Sequence, residues 1–312
     1  MKGKDLLSVS DLGSEDINML MSDTMIMKAS GWLSSLSGKS LALLFEKPSL
    51  RTRTSFEVAI RQLGGQAIYL SPAEVGLGKR EAVTDVACVL NRYVDAIIAR
   101  TFSHDSLKTL AAFTDIPIIN ALSDLEHPCQ ALTDLFTIFE RKGELKGLTI
   151  AYVGDGNNVA NSLLLASALA GIDFRIASPK GYEVDKGILQ TARGYAADSG
   201  SKIVCTQKAG EAAFNADVVY TDVWTSMGQE EEAEKRRKIF SAYQVNAKLL
   251  ALAREGAIFM HPLPAHRGDE VTDEVIDSSS SVVFDQAENR MHTAKALLAS
   301  ILGGLEMPLP RY

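Results

Sequence analysis

Residues 41–60 read LALLFEKPSLRTRTSFEVAI, and the reading of this stretch decides the fold. Leu41-Ala42-Leu43-Leu44 is a short apolar run with the length and composition of a buried strand. Residues 55–60 switch to helical periodicity, so a strand runs through a short polar turn into a helix. The start of a helix offers unpaired backbone N–H groups and the positive end of its dipole. Ser49, Arg51, Thr52 and Arg53 at that start make a site for a tetrahedral anion, most naturally a phosphate. The alternative is a plain helix cap with exposed arginines. Ser49 alone fits that reading. Two guanidiniums flanking a threonine in the first turn fit it poorly, because cations are unfavourable there unless an anion offsets them.

The same strand-to-helix alternation continues along the chain, which is the signature of a parallel α/β sheet. Strands are expected at 41–45, 67–70, 96–99 and 116–120, with helices at 52–63, 80–92, 106–114 and 129–141. Later strands are expected at 149–153, 173–177, 202–205, 218–222 and 257–260, with a last helix at 292–303. The polar, glycine-bearing stretch 141–147 (RKGELKG) is the best candidate for a domain junction. Residues 278–281 form a four-serine loop, and the charged run 230–237 is expected on the surface.

The 312 residues are enough for two ordinary domains. The chain is 46% hydrophobic and 23% charged, the mix of a soluble globular protein. Lys plus Arg number 32 against 39 Asp plus Glu, a net charge of −7. That balance argues against non-specific nucleic-acid binding and leaves room for a local basic pocket. Cys88, Cys129 and Cys205 are far apart and form no CxxC pair, so neither a disulfide framework nor structural zinc is expected. No signal peptide is visible, and no apolar run approaches the roughly 18 residues that cross a bilayer. A cytoplasmic location is the expectation.

The remaining reactive side chains fall just after expected strands, where open α/β sheets place their ligands. Arg100-Thr101 follows one strand, and a lone arginine there is a weak signal. His127-Pro128-Cys129-Gln130 opens a helix. Imidazole, amide and helix start could polarise a carbonyl, but taken alone the tetrapeptide is better explained as a capping histidine before a first-turn proline. Val153-Gly154-Asp155-Gly156-Asn157-Asn158 suggests a dinucleotide turn, but Val159 breaks G-x-G-x-x-G. The turn implies only that backbone comes close to something, with Asn157-Asn158 placed to bond an amino-acid-like ligand. Asp222, at another strand end, could pair with an ammonium group. The 261–264 turn, His-Pro-Leu-Pro, presents carbonyls in a fixed geometry.

Together these clusters resemble the aspartate/ornithine transcarbamoylase family over essentially the whole length. The carrying pieces are FEKPSLRTRTSFEVAIRQLGG, RYVDAIIART, HPCQALTDLFTI, VGDGNNVANS, TDVWTSMGQEEE, FMHPLPAHRGDEV and AENRMHTAKALL. The SMGQE piece is similar to the ornithine branch. The resemblance implies an α/β fold of two domains, each a parallel sheet flanked by helices. A carbamoyl phosphate domain would span 1–143, completed by a C-terminal helix at 292–312, with an ornithine domain at 144–291. It implies that Ser49, the Leu50 backbone, Arg51 and Thr52 hold phosphate, while Arg100, His127 and Thr52 polarise the carbamoyl oxygen. Gln130, the Pro262-Leu263 turn through the Leu263 carbonyl, and Arg290 fix the carbamoyl amino group. Asn158, Asp222, Ser226 and Met227 bind ornithine. No cofactor or metal is implied. Ordered binding with carbamoyl phosphate first, a homotrimer and a place in arginine metabolism are further implications.

Three positions depart from the family pattern. Leu50 stands where threonine is usual, as it also does in acylornithine transcarbamoylases, although HPLPAHRG and SMGQE speak against an acylated substrate. Pro262 stands where ornithine enzymes carry cysteine. Gly76 stands where bacterial relatives often have a phosphate-reaching glutamine, a role open to Lys79 or Arg80. The competing readings are a transcarbamoylase for acylornithine, putrescine or aspartate, and a catalytically impaired homologue with a binding or regulatory role.

Overall fold

The computed structural model describes residues 1–31, 33–225 and 230–303. Its backbone divides into two units. Met1–Phe136 joins the segment from Glu288 onward, and Thr137–Ala287 forms the other. The chain passes from one to the other within two helices, Pro128–Lys142 and Val283–Leu298.

The first unit is built on β1 (Ser40–Phe45), β2 (Gln66–Leu70), β3 (Ala96–Arg100) and β4 (Ile118–Leu122), all parallel, in the order β2-β1-β3-β4. The central strands β1 and β3 are apolar at nearly every position and buried along their length, whereas edge strand β2 is partly exposed. Continuous apolar runs suit strands covered on both faces by helices. Strand β4 starts two residues later than expected. Pro117 has no N–H to give the ladder and contributes only its carbonyl, which accepts from Ile97 at 3.0 Å. The helix expected at 80–92 spans Val83–Leu90, because Arg80 is held by a glycine turn in which its N–H bonds the Gly76 carbonyl at 2.8 Å.

The second unit carries β5 (Thr149–Val153), β6 (Asp173–Ala177), β7 (Ile203–Thr206), β8 (Val218–Tyr220) and β9 (Ile258–Met260), again parallel, in the order β7-β6-β5-β8-β9. Tyr152 stacks on Tyr220 with ring centroids 5.6 Å apart, joining β5 to β8 in the core. The last long helix starts at Val283, nine residues ahead of the expected 292. Val283, Ala287 and Met291 follow one another at i, i+4, i+8, a helical spacing that places Arg290 on a helix rather than in the loop before one. Among the described residues no helix is long and apolar enough to cross a membrane.

Both sheets have a point where the strand order reverses direction. In the first it lies between β1 and β3, in the second between β5 and β8. Chain leaving these two strands diverges to opposite sides and opens a crevice at their carboxyl ends, which is where ligands of open α/β sheets bind.

Candidate functional site

At the first crevice, Phe45 and Arg100 pair in register at the ends of β1 and β3. The helix Leu50–Gln62 begins directly beyond. Ser49 is its N-cap in extended conformation, and its hydroxyl accepts the Thr52 N–H at 3.3 Å. Leu50 is the first helical residue and is 78% exposed, so its side chain takes no part in the core. Thr52 is buried, and its Oγ1 accepts a 2.7 Å bond from Arg290 Nη2. The other arm of Arg290, Nη1, donates to Gln130 Oε1 at 2.7 Å. Gln130 Nε2 donates in turn to Asp134 Oδ1 at 2.8 Å, which fixes the amide with its oxygen toward Arg290. Asp134 is buried and belongs to this chain of bonds. Its place four residues after Gln130, one turn along the helix, was its only signal in the sequence.

Arg100 is 6% exposed. Burial holds its guanidinium down to about 10, and the nearby charges of Arg290 and Arg51 push the same way. Arg51, half-buried, is also lowered by burial. Among the described residues neither Arg51 nor Arg100 has an acidic partner within ion-pair distance. His127 is buried at the start of the helix Pro128–Lys142 and precedes its first-turn proline. Desolvation, then the charges of Arg290 and Arg100, hold its imidazole well below the ordinary histidine value, so it is neutral near pH 7. The first unit therefore gathers Ser49, Arg51, Thr52, Arg100, His127, Gln130 and Arg290 in one place. Mutually repelling guanidiniums beside a helix start need an anion to offset them. The Cys129 thiol is buried, pushed up to about 12, and donates to the Asn120 carbonyl at 3.3 Å, a packing role.

Arg53 corrects the expectation of a two-arginine cradle. Its Nε bonds Glu57 Oε1 at 2.8 Å, and its guanidinium lies 3.6 Å from the centre of the Tyr69 ring. Two positions on a helix are about 200° apart, so Arg51 and Arg53 cannot face one ligand. Gly76 adopts φ +48 at the end of a one-turn helix, where a Cβ would stand 2.9 Å from Arg80 Cβ. A glutamine at 76 does not fit this backbone. Arg80 Nη1 is turned to the Glu74 carbonyl at 2.9 Å within the same loop, and Lys79 is exposed.

At the second crevice Asp222 lies two residues past β8, buried, with Oδ2 accepting from Asn157 Nδ2 at 2.8 Å. Burial raises its carboxyl above the ordinary value, while His261 and the Asn157 bond pull it down. Asn157 corrects the expectation that it reaches a ligand. Its Oδ1 caps the helix Asn158–Ala170 by accepting from Val159 and Ala160 N–H, and its amide is spent on Asp222. Asn158, half-buried, opens that helix. The close backbone approach at Gly156 is to the Glu183–Val184 backbone, 2.2 Å from where a Cβ would stand, and not to a ligand. The charged run 230–237 also departs from expectation. Arg236 is buried, with Nη2 bonded to Asp155 Oδ2 and Nε to the Trp224 carbonyl. It shares a helix face with buried Phe240, four residues on, the one periodic signal inside an otherwise polar run. Ser226 and Met227 lie outside the described residues.

Pro262 and Leu263 follow β9 in this unit. Leu263 has φ +56, and its N–H donates to His261 Nδ1 at 2.9 Å. That bond leaves the imidazole proton on Nε2, 3.1 Å from Glu270 Oε1. The His261 N–H is held by Gln286 Oε1 at 2.9 Å. His261, Glu270 and Gln286 thus lock the Leu263 backbone, a function that only the fold makes visible.

The two units define a class: an α/β protein with a cationic anion pocket in one parallel sheet and a buried carboxylate in the other. The carbamoyl-P binding domain of aspartate/ornithine carbamoyltransferase matches residues 4–140, and the Asp/Orn binding domain of the same family matches 146–301. An ornithine carbamoyltransferase from Bacillus subtilis is 53% identical over 300 residues, covering 96% of this chain and 94% of its own. One from Pyrococcus horikoshii is 50% identical over 310 residues, 98% of each chain. The solved structure of ornithine carbamoyltransferase from Pyrococcus furiosus superposes with a TM-score of 0.94 at 50% identity, covering 98% of this chain and 99% of that one. The chain belongs to the aspartate/ornithine carbamoyltransferase family.

Proposed function

We propose that the protein transfers the carbamoyl group of carbamoyl phosphate to the δ-amine of L-ornithine, giving L-citrulline and phosphate. The observation that carries this reading is the convergence of Arg51, Arg100 and Arg290 on Thr52, Gln130 and neutral His127 at one strand crossover. Ser49, the Leu50 N–H, Arg51 and Thr52 hold the phosphate. Arg100, His127 and Thr52 face the carbonyl oxygen, where negative charge develops as the neutral amine attacks. Gln130 Oε1, held by Arg290, orients the carbamoyl amino group. The C–N bond forms, the C–O bond to phosphate breaks, and the amine gives up one proton as phosphate leaves. Positioning and fixed charges account for the acceleration.

Asp222 takes the α-ammonium of ornithine, with Asn158, Ser226 and the Met227 backbone completing the acceptor site. An ammonium beside Asp222 favours its charged form and offsets the burial that raises it. Residues 1–143 with the C-terminal helix serve carbamoyl phosphate, and 144–291 serve ornithine. The family relationship extends the proposal to a homotrimer acting in the cytoplasm, which sedimentation equilibrium and fractionation test. The deciding assay measures ureido product from carbamoyl phosphate with ornithine, acetylornithine, succinylornithine, putrescine, aspartate and lysine. Turnover with ornithine alone is expected. Turnover of an acylated acceptor in preference to ornithine would overturn the acceptor assignment, and turnover with none would overturn the enzyme reading.

A further inference from the structure

Arg236 sits in the middle of a polar helix, Ala233–Phe240, whose neighbours Glu234, Lys235, Arg237 and Lys238 are exposed. Its own side chain is 4% exposed. The guanidinium is 4.7 Å from the centre of the Tyr182 ring and 5.3 Å from that of Phe240. Glu232 lies 3.7 Å from Nη1 near the surface. Burying an ion pair is a poor way to stabilise a helix, since apolar residues of similar volume commonly serve as well. The contacts of Arg236 point elsewhere. Nη2 holds Asp155, two residues before Asn157, and Nε holds the carbonyl of Trp224, two residues after Asp222. Asn157 and Asp222 are themselves joined at 2.8 Å. The result is a closed ring: Arg236 to Asp155, along the chain to Asn157, across to Asp222, along the chain to Trp224, and back to Arg236.

We infer that Arg236 is a positioning residue for the acceptor: it clamps the chain on both sides of the Asn157–Asp222 bond, so that the Asp222 carboxylate is held in place for the α-ammonium. The inference rests on the reading of Asp222 as the ammonium partner. The two carboxylates stand past the ends of adjacent strands, β5 and β8; burial raises both, Arg236 pulls Asp155 down and the Asp222 charge raises it further. Without Arg236, Asp155 and the Trp224 carbonyl lose the donor that ties them together, and the chain on either side of the Asn157–Asp222 bond is released.

The test is steady-state kinetics on the full-length protein, with both substrates varied, for wild type, Arg236→Lys, Arg236→Gln, Asp155→Asn and the double variant Asp155→Asn/Arg236→Gln. Arg236→Gln is expected to raise the ornithine KM by at least about tenfold while the carbamoyl phosphate KM stays within about twofold. Arg236→Lys keeps the charge and loses one of the two bonds, so it is expected to fall between wild type and Arg236→Gln. The double variant is expected to lose no more than Arg236→Gln alone, because both changes open the same ring. If Arg236→Gln does not fold, the Lys and Asp155→Asn variants decide. A lowered melting temperature with both KM values unchanged, or equal losses for both substrates, would overturn the inference. If wild type itself fails to turn over ornithine, the functional reading falls instead, which separates the two failures.

Discussion

His127 shows how much a single side chain owes to its surroundings. An imidazole in water titrates at about 6.5. Here burial and the charges of Arg290 and Arg100 hold it well below that value, so at pH 7 it is a neutral group that can donate a hydrogen bond to a developing oxyanion. The same shift has a cost in acid. Below about pH 6.5 the unfolded chain takes up a proton that the folded chain refuses, so this group's contribution is intact above 6.5 and is lost as pH falls. Melting temperature measured between pH 7 and 5 is therefore expected to fall less steeply in His127→Gln than in wild type. Identical slopes would show that His127 is not depressed. Asp155 has the opposite sense. Burial pushes it up to about 7 against the pull of Arg236, so the stability it contributes is present at low pH and fades as pH rises through 7.

The helix Leu50–Gln62 is where helical periodicity sorts two arginines that look equivalent on paper. Arg51 stays at the crevice and Arg53 turns to Glu57 and Tyr69. Arg51→Ala is expected to lower kcat/KM by about 10²–10³, the usual loss for one fixed donor to a charged transition state. Arg53→Ala is expected to leave the carbamoyl phosphate KM unchanged, and a matching loss in both variants would contradict the sorting. Another short element explains a departure from the family. Gly76 ends its helical turn in the left-handed region, against Arg80. Gly76→Gln is expected to cost about 1–2 kcal/mol of stability, read as a fall in melting temperature, and not to add a phosphate ligand. A stable variant with tighter carbamoyl phosphate binding would show that this loop rearranges to accept the side chain.

Across the whole molecule, two sheets of the same design carry different chemistry at their strand crossovers. One gathers cations and the other buries a carboxylate. Asp222→Asn is accordingly expected to raise the ornithine KM by at least about tenfold. Carbamoyl phosphate affinity, measured by calorimetry, is expected to stay within about twofold. Parallel loss of both affinities would mean that the substrates are not divided between the units in this way.

The alternation of apolar runs and helical stretches determined the parallel sheets, because strand and helix formation depend on residues a few positions apart. The helix start at Ser49 and the positions of Arg100, His127 and Asp222 after strands were legible for the same reason. Tertiary structure alone decided which groups meet. Arg290 bonds Thr52 from 238 positions away, and Arg236, in a run that reads as surface, is buried because Asp155 and the Trp224 carbonyl offer partners that no local pattern announces. A side chain's direction around a helix and its distant hydrogen-bond partners are fixed only when the chain packs, and there the arginine cluster and the Asp222 carboxylate acquire their surroundings.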